Sequence, residues 1–185
     1  MRIAVYSGSF DPLHIGHLAI MERLSASRDF DWTYLVISPQ NPLKDADKAL
    51  SAERRYRSAV EAVRRHPDLH VWVDNIELQM PAPHYTIKTL DALREREPGN
   101  EFTLVIGADN LEIIHCWREA PRILEEYGVV VYPRTGSDMV QLRQELLAEC
   151  DRYRIRLLDA PVVDISSTQI RQMQAQGLDP SQYLM

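Results

Sequence analysis

Two imidazoles stand three residues apart near the start of this chain, His14 and His17 within SGSFDPLHIGHL at residues 7–18. A neutral imidazole offers one N–H donor and one lone pair. Two of them at the mouth of a helix, with Gly16 between them leaving room for a phosphate, can hold a polyphosphate and stabilise charge developing on it. The preceding loop, Ser7-Gly8-Ser9-Phe10, adds backbone N–H groups just ahead of a helix start, where free donors and the helix dipole both favour an anion. A lone histidine there would be an ordinary packing residue. Zinc is another reading, but no third ligand has suitable local spacing. With a single glycine, the loop is neither a P-loop nor a GxGxxG fingerprint.

A second polar cluster, DISSTQIR at residues 164–171, lies near the other end of the chain. Ser166, Ser167 and Thr168 suit a helix N-terminus, where hydroxyls cap N–H groups or reach a phosphate. Arg171 falls one turn further and could fork onto phosphate oxygens. By themselves these residues are equally an N-cap beside a solvated arginine. Between the two clusters, SPQNPLK places Lys44 where a cation could hold a phosphate, unless it is simply solvated. PHYTIKTLDAL opens a helix at Thr86, just after Tyr85. GADNLEIIHCWREAPRIL places Gly107 and Asp109 after a strand, and Asp109 suits ribose hydroxyls. Trp117 in the same stretch could stack on a planar heterocycle or belong to the core.

The elements that must position these groups alternate. Compact apolar runs predict strands at residues 2–6, 34–37, 70–73, 102–106, 129–132 and 154–158. Helical spacing and stop signals predict helices at 17–25, 51–65, 86–96, 120–126, 139–150 and 167–175. Residues 38–48 and 107–110 read as loops. Such alternation predicts an α/β domain with a doubly wound parallel sheet. Ligands of such sheets sit beyond the carboxyl ends of the strands, where the strand order reverses. The loops at 7–13, 38–44 and 107–110 would share that edge.

Composition narrows the class. The 185 residues suit one domain, 45% hydrophobic and 26% charged, with a net charge of −6. That balance argues against a nucleic-acid binder with a broad basic surface. No run approaches a membrane span or a signal peptide. Cys116 and Cys150 are far apart and outside any CxxC pattern, which reads as reduced thiols in a cytoplasmic protein.

The motifs together point to a family. GSFDPLHIGH resembles the signature of the nucleotidylyltransferase superfamily, and ISSTQIR resembles its second signature. Class I aminoacyl-tRNA synthetases share the HIGH tetrapeptide but carry a lysine-rich loop that is missing here. With the Tyr85-Thr86 stretch and the GAD segment followed by Trp117, the chain resembles the nicotinate mononucleotide adenylyltransferases from residue 3 to about residue 175. The resemblance implies a Rossmann-like nucleotidylyltransferase fold over residues 1–185, with residues 164–185 packed beside an ATP site. It implies adenylyl transfer from ATP to nicotinate mononucleotide, with release of pyrophosphate.

By that resemblance, His14, His17, Lys44 and Arg171 carry the chemistry. Gly8, Ser9, Phe10, His17, Gly107, Asp109, Ser167, Thr168 and Arg171 bind ATP. Ser9, Lys44, Tyr85, Thr86 and Trp117 bind the mononucleotide. Mg²⁺ accompanies ATP with no dedicated protein site, and neither nucleic acid nor membrane takes part; a homo-oligomer is allowed. The alternatives are another small nucleotidylyltransferase (acting on nicotinamide mononucleotide, a phosphopantetheine or a glycerol phosphate) or a non-catalytic nucleotide-binding module. Departures from the family pattern are Ser7 for a glycine, Asn41-Pro42-Leu43-Lys44 for Pro-Pro-His-Lys, His84 for a serine, and an end at Met185 about one helix early.

Overall fold

Six apolar runs form strands: β1 (Arg2–Gly8), β2 (Trp32–Ile37), β3 (Val71–Asp74), β4 (Glu101–Gly107), β5 (Val129–Tyr132) and β6 (Ile155–Leu157). They pair in parallel in the order β3-β2-β1-β4-β5-β6. The structure is a computed structural model and describes residues 1–39 and 46–185. The helices are α1 (Ile15–Ala26), α2 (Ala46–Arg64), α3 (Ile76–Gln79), α4 (Thr86–Arg96), α5 (Ala108–Glu112), α6 (Ala120–Arg122, running into a π-turn at Ile123–Tyr127), α7 (Met139–Glu149) and α8 (Ser167–Ala175).

The strands are apolar on both faces because both faces are covered. Along β1, Ala4 and Tyr6 face one core with Ile20, Met21 and Leu24 of α1 and Ala59 and Ala62 of α2. Ile3 and Val5 face the other, with Leu90 and Leu93 of α4, Leu111 of α5, Ile123 of the π-turn and Leu146 of α7. Moving out from β1, the chain adds β2 and β3 on one side; it then returns to lay β4 on the other. The order therefore reverses between β1 and β4, and their carboxyl ends bound a crevice.

The predicted class and alternation match this architecture, while several boundaries differ for physical reasons. Helix α2 begins at Ala46, not at Ser51. Residues 46–50, ADKAL, hold no glycine or proline and are mostly good helix formers, so residues 46–48 of the predicted loop are helical; residues 40–45 of it lie outside the described residues. Strand β1 runs on to Gly8, which pairs with Ile37, so Ser7 and Gly8 belong to the ladder rather than to the loop. The predicted loop at 107–110 is helical from Ala108. The single-turn α3 is too short to leave a periodic pattern. Among the described residues no helix is long and apolar enough to cross a membrane.

Leu24 is fully buried between α1 and the sheet. Leu24→Ala should cost roughly 2–5 kcal/mol of stability, read as a lower urea midpoint with an unchanged slope. A loss below about 1 kcal/mol would mean that α1 repacks over the vacated space.

Candidate functional site

A cleft of ≈ 230 Å³ opens at the reversal point, lined by Tyr6, His14, His17, Asp109, Arg134 and Val163 among others. Its central feature is the start of α1, which the two histidines cap reciprocally. His14 Nδ1 accepts the Gly16 N–H at 3.2 Å, and His17 Nδ1 accepts the His14 N–H at 3.2 Å. The rings stack with centroids 3.7 Å apart at 29°. With both Nδ1 lone pairs occupied by backbone donors, each neutral ring carries its proton on Nε2. The arrangement provides two N–H donors pointing away from the helix backbone.

Two glycines make room for rings. A Cβ on Gly16 would lie 3.0 Å from His14 Cε1, so this glycine accommodates the histidine ring, and it also lines the cleft. A Cβ on Gly8 would lie 3.1 Å from Phe10 Cζ. Phe10 takes a left-handed backbone, φ 45°, and turns its ring back over Gly8. There it meets His17 edge-on at 5.0 Å and Tyr6 at 5.1 Å.

Burial sets the protonation of the pair. Desolvation, then the nearby Arg134 guanidinium, holds His14 down to about 4. Desolvation, then His14, then Arg134, holds His17 well below its ordinary value. At neutral pH both are donors without charge. Positive charge at the cleft comes from Arg134, whose Nε lies 3.6 Å from Asp109 Oδ1.

The segment at 164–171 closes the far wall. Ser166 is the N-cap of α8, its Oγ accepting the Gln169 N–H at 3.2 Å, while Gln169 Oε1 accepts the Ser166 N–H at 2.7 Å. The next residues grip the loop before His14. Ser167 Oγ donates to the Pro12 carbonyl at 3.0 Å. Arg171 Nη1 donates to the Asp11 carbonyl at 2.6 Å and Nη2 to Thr168 Oγ1 at 3.1 Å. Leu184, beyond α8, forms an antiparallel bridge with His14 itself.

The structure thus brings His14, His17 and Asp109 into one cleft. From α8, Ser166 and Gln169 line it, whereas Ser167, Thr168 and Arg171 do not; Ser167 and Arg171 are bound to the loop before His14. A Cβ at Gly107 would collide with the Asp109 carboxylate, so the glycine permits that placement. Ser9 leaves the sheet next to them, its carbonyl bound by Arg55. Tyr85, Thr86 and Trp117 are not in this cleft. Tyr85 is the N-cap of α4, and the Arg118 guanidinium lies 5.3 Å from its ring centroid, which brings the Trp117-Arg118 step to the start of α4. Trp117 is half-buried and packs against the core. The first-turn N–H groups of Thr86 and Ile87 have no partner within the helix, whose bonds to the Tyr85 carbonyl begin at Lys88 and Thr89. Lys44 lies outside the described residues.

Sequence reading missed three residues here. Arg134 had a usable signal, because it follows β5 at the carboxyl edge. Arg55 is buried at 5% exposure and donates to the carbonyls of Ser9 (2.5 Å) and Ser38 (2.9 Å). Nothing in ERRYRS distinguishes it from its neighbouring arginines. Glu77 is also buried, in the helical turn that the pattern did not show. Among the described residues no three His, Cys, Asp or Glu side chains gather to hold a metal.

The buried histidines make stability pH-dependent. Unfolded, His14 titrates near its ordinary 6.5; folded, it does so near 4. The unfolded chain therefore takes up a proton first, and stability falls as pH drops from about 6.5 towards 4, by of order 3 kcal/mol for His14. Urea midpoints across this range should fall less in His14→Gln than in the wild type. Parallel curves would mean that His14 is not held neutral.

The cytidylyltransferase-like family model matches residues 5–173. A "Probable nicotinate-nucleotide adenylyltransferase" of Flavobacterium psychrophilum is 36% identical over 93% of this chain and 86% of its own. One of the same name from Porphyromonas gingivalis is 37% identical over 97% of this chain and 87% of its own. Among solved structures, Plasmodium falciparum nicotinic acid mononucleotide adenylyltransferase complexed with NaAD superposes with a TM-score of 0.79 at 17% identity, covering 99% of this chain and 90% of that one.

Proposed function

Since the chain belongs to the cytidylyltransferase-like family, and within it to the nicotinate-nucleotide adenylyltransferases, we propose that it transfers AMP from ATP to nicotinate mononucleotide, releasing pyrophosphate and forming nicotinate adenine dinucleotide. The observation that carries this reading is the pair of Nε2–H donors presented by His14 and His17 at the reversal point. A polyphosphate laid across the start of α1 meets two fixed donors and the positive end of a helix.

The attacking 5′-phosphate is already ionised at neutral pH, so no general base is required. Rate comes from aligning two anions and neutralising the charge between them. His14 and His17 donate, as neutral rings, to the α-phosphate and to the bridge towards pyrophosphate. The adenosine end takes the ≈ 230 Å³ cleft, with Asp109 on the ribose, while Gly8, Ser9, Phe10 and Gly107 shape the approach. Ser167, Thr168 and Arg171 face the β- and γ-phosphates. ATP enters as its Mg²⁺ complex, the ion held by phosphate oxygens and water.

The acceptor lies on the other side of β1. Its ring sits at Tyr85 and Trp117, and Lys44 and Ser9 take its phosphate. The free N–H groups of Thr86 and Ile87 suit a carboxylate, which favours nicotinate over nicotinamide mononucleotide. The reaction calls for neither nucleic acid nor membrane, and we place the enzyme in the cytoplasm as one folded unit of residues 1–185, with assembly into homo-oligomers compatible with it.

Pyrophosphate release with ATP and Mg²⁺ should be strong with nicotinate mononucleotide and weak with the nicotinamide form. Equal use of both would remove the carboxylate from the α4 start; silence with both, alongside turnover of a phosphopantetheine or glycerol phosphate, would replace the acceptor. His17→Ala should lower kcat on the order of 10²–10³-fold, the usual loss for one transition-state donor, in protein that circular dichroism shows to be folded. Trp117→Ala should chiefly raise KM for the mononucleotide. An unchanged KM would assign that side chain to the core alone.

A further inference from the structure

Glu77 is a carboxylate at 5% exposure that the chemistry above does not use. It lies in α3, just beyond the carboxyl end of β3. Its Oε1 accepts the Thr89 hydroxyl at 2.9 Å and the Ser7 hydroxyl at 3.2 Å. Ser7 Oγ also lies 2.9 Å from Ser38 Oγ. Four side chains from four places are thereby joined: the end of β1, the residue after β2, α3, and the first full turn of α4. Among the described residues no cation pairs with Glu77, and the bonds to its Oε1 come from hydroxyls. Burying a carboxylate is costly, and an apolar side chain of similar size would serve packing better. Retaining an acid here fits a demand for geometry.

The two ends of the junction lead to the two substrates. Ser7 is followed directly by Gly8, Ser9 and Phe10, and so by the loop that ends at the His14 cap. Thr89 stands three residues after Thr86, on the helix whose start we assign to the acceptor. We propose that Glu77 is a positioning residue: through Ser7 and Thr89 it sets the spacing between the acceptor-binding start of α4 and the β1 loop that leads to the histidines. This rests on the acceptor reading of α4 given above. In-line attack needs the reacting atoms about 3–3.5 Å apart, and a displacement of about 1 Å costs on the order of 10²-fold in rate. A junction that transmits position between the two sites therefore controls kcat without touching either substrate.

The test uses the full chain with the shape-conserving variant Thr89→Val, together with Ser7→Ala, their double variant and Glu77→Gln. Thermal midpoints are measured beside kcat and both KM values, well below the midpoint. Thr89→Val should lower kcat roughly tenfold or more and raise KM for nicotinate mononucleotide, leaving KM for ATP within about twofold. The double variant should lose less than the product of the single losses, because both hydroxyls act through one carboxylate. Glu77→Gln keeps an Oε1 acceptor and should retain more activity than Thr89→Val. Lower thermal midpoints with unchanged kcat and KM would overturn the proposal, leaving Glu77 a purely structural group. A rise confined to KM for ATP would overturn it too, because α4 would then not be the acceptor end. Failure of the functional reading itself would appear differently, as a wild-type protein that releases no pyrophosphate with either mononucleotide, and it would overturn both.

Discussion

Parallel strands joined through helices must cross over in the right-handed sense, and the whole site depends on that constraint. Going outward from β1 to β3 puts α1 and α2 on one face; returning to β4 puts α4 on the other, and going on from β5 to β6 adds α7 there. Helices leaving β1 and β4 therefore diverge, and the gap between them cannot be filled by either. A crevice at the carboxyl ends follows from the chain path before any particular side chain is considered. The chemistry-bearing residues occupy the segments that this path delivers there.

Within the crevice the histidines serve structure and chemistry with different nitrogens. Nδ1 of each ring satisfies the helix start, and that same bond assigns the proton to Nε2. The cap is thus also what orients the donors, so the site needs no separate group to hold the imidazoles. Burial keeps them neutral, and the stacking at 3.7 Å would penalise a double charge in any case. Charge at the cleft is left to the guanidinium of Arg134, nearer the solvent.

The loop carrying these donors is held from several sides. Arg171 and Ser167 bind the carbonyls of Asp11 and Pro12 from α8. Arg55 binds Ser9 and Ser38 from α2. Glu77 joins Ser7 to Thr89 from α3. Each brace comes from an element distant in sequence and lands on a backbone carbonyl or a short hydroxyl. Rigidity at the reacting centre is thereby spread over contacts that do not themselves meet the phosphates.

Much of the fold was legible because buried parallel strands must be largely apolar, as IAVY, FTLVI and VVVY are, and because Pro98-Gly99 ends a helix wherever it stands. The HIGH and ISSTQIR stretches were legible because donors at a helix start have few other uses when they occur together. Less could be read of residues whose role depends on where a neighbour falls. Gly16 looks like room for a ligand, and nothing in the sequence shows that it also makes room for the His14 ring. Arg55 looks like any surface arginine of α2, and it is held by two carbonyls from the residues just after β1 and β2. The sequence by itself determined the element types, the α/β class and the donors, since these follow from local pattern and side-chain chemistry. Only the tertiary structure decided which nitrogen carries each histidine proton, which charges lie beside the donors, and which buried acid ties the two halves together, because those depend on distances between segments that no local pattern encodes.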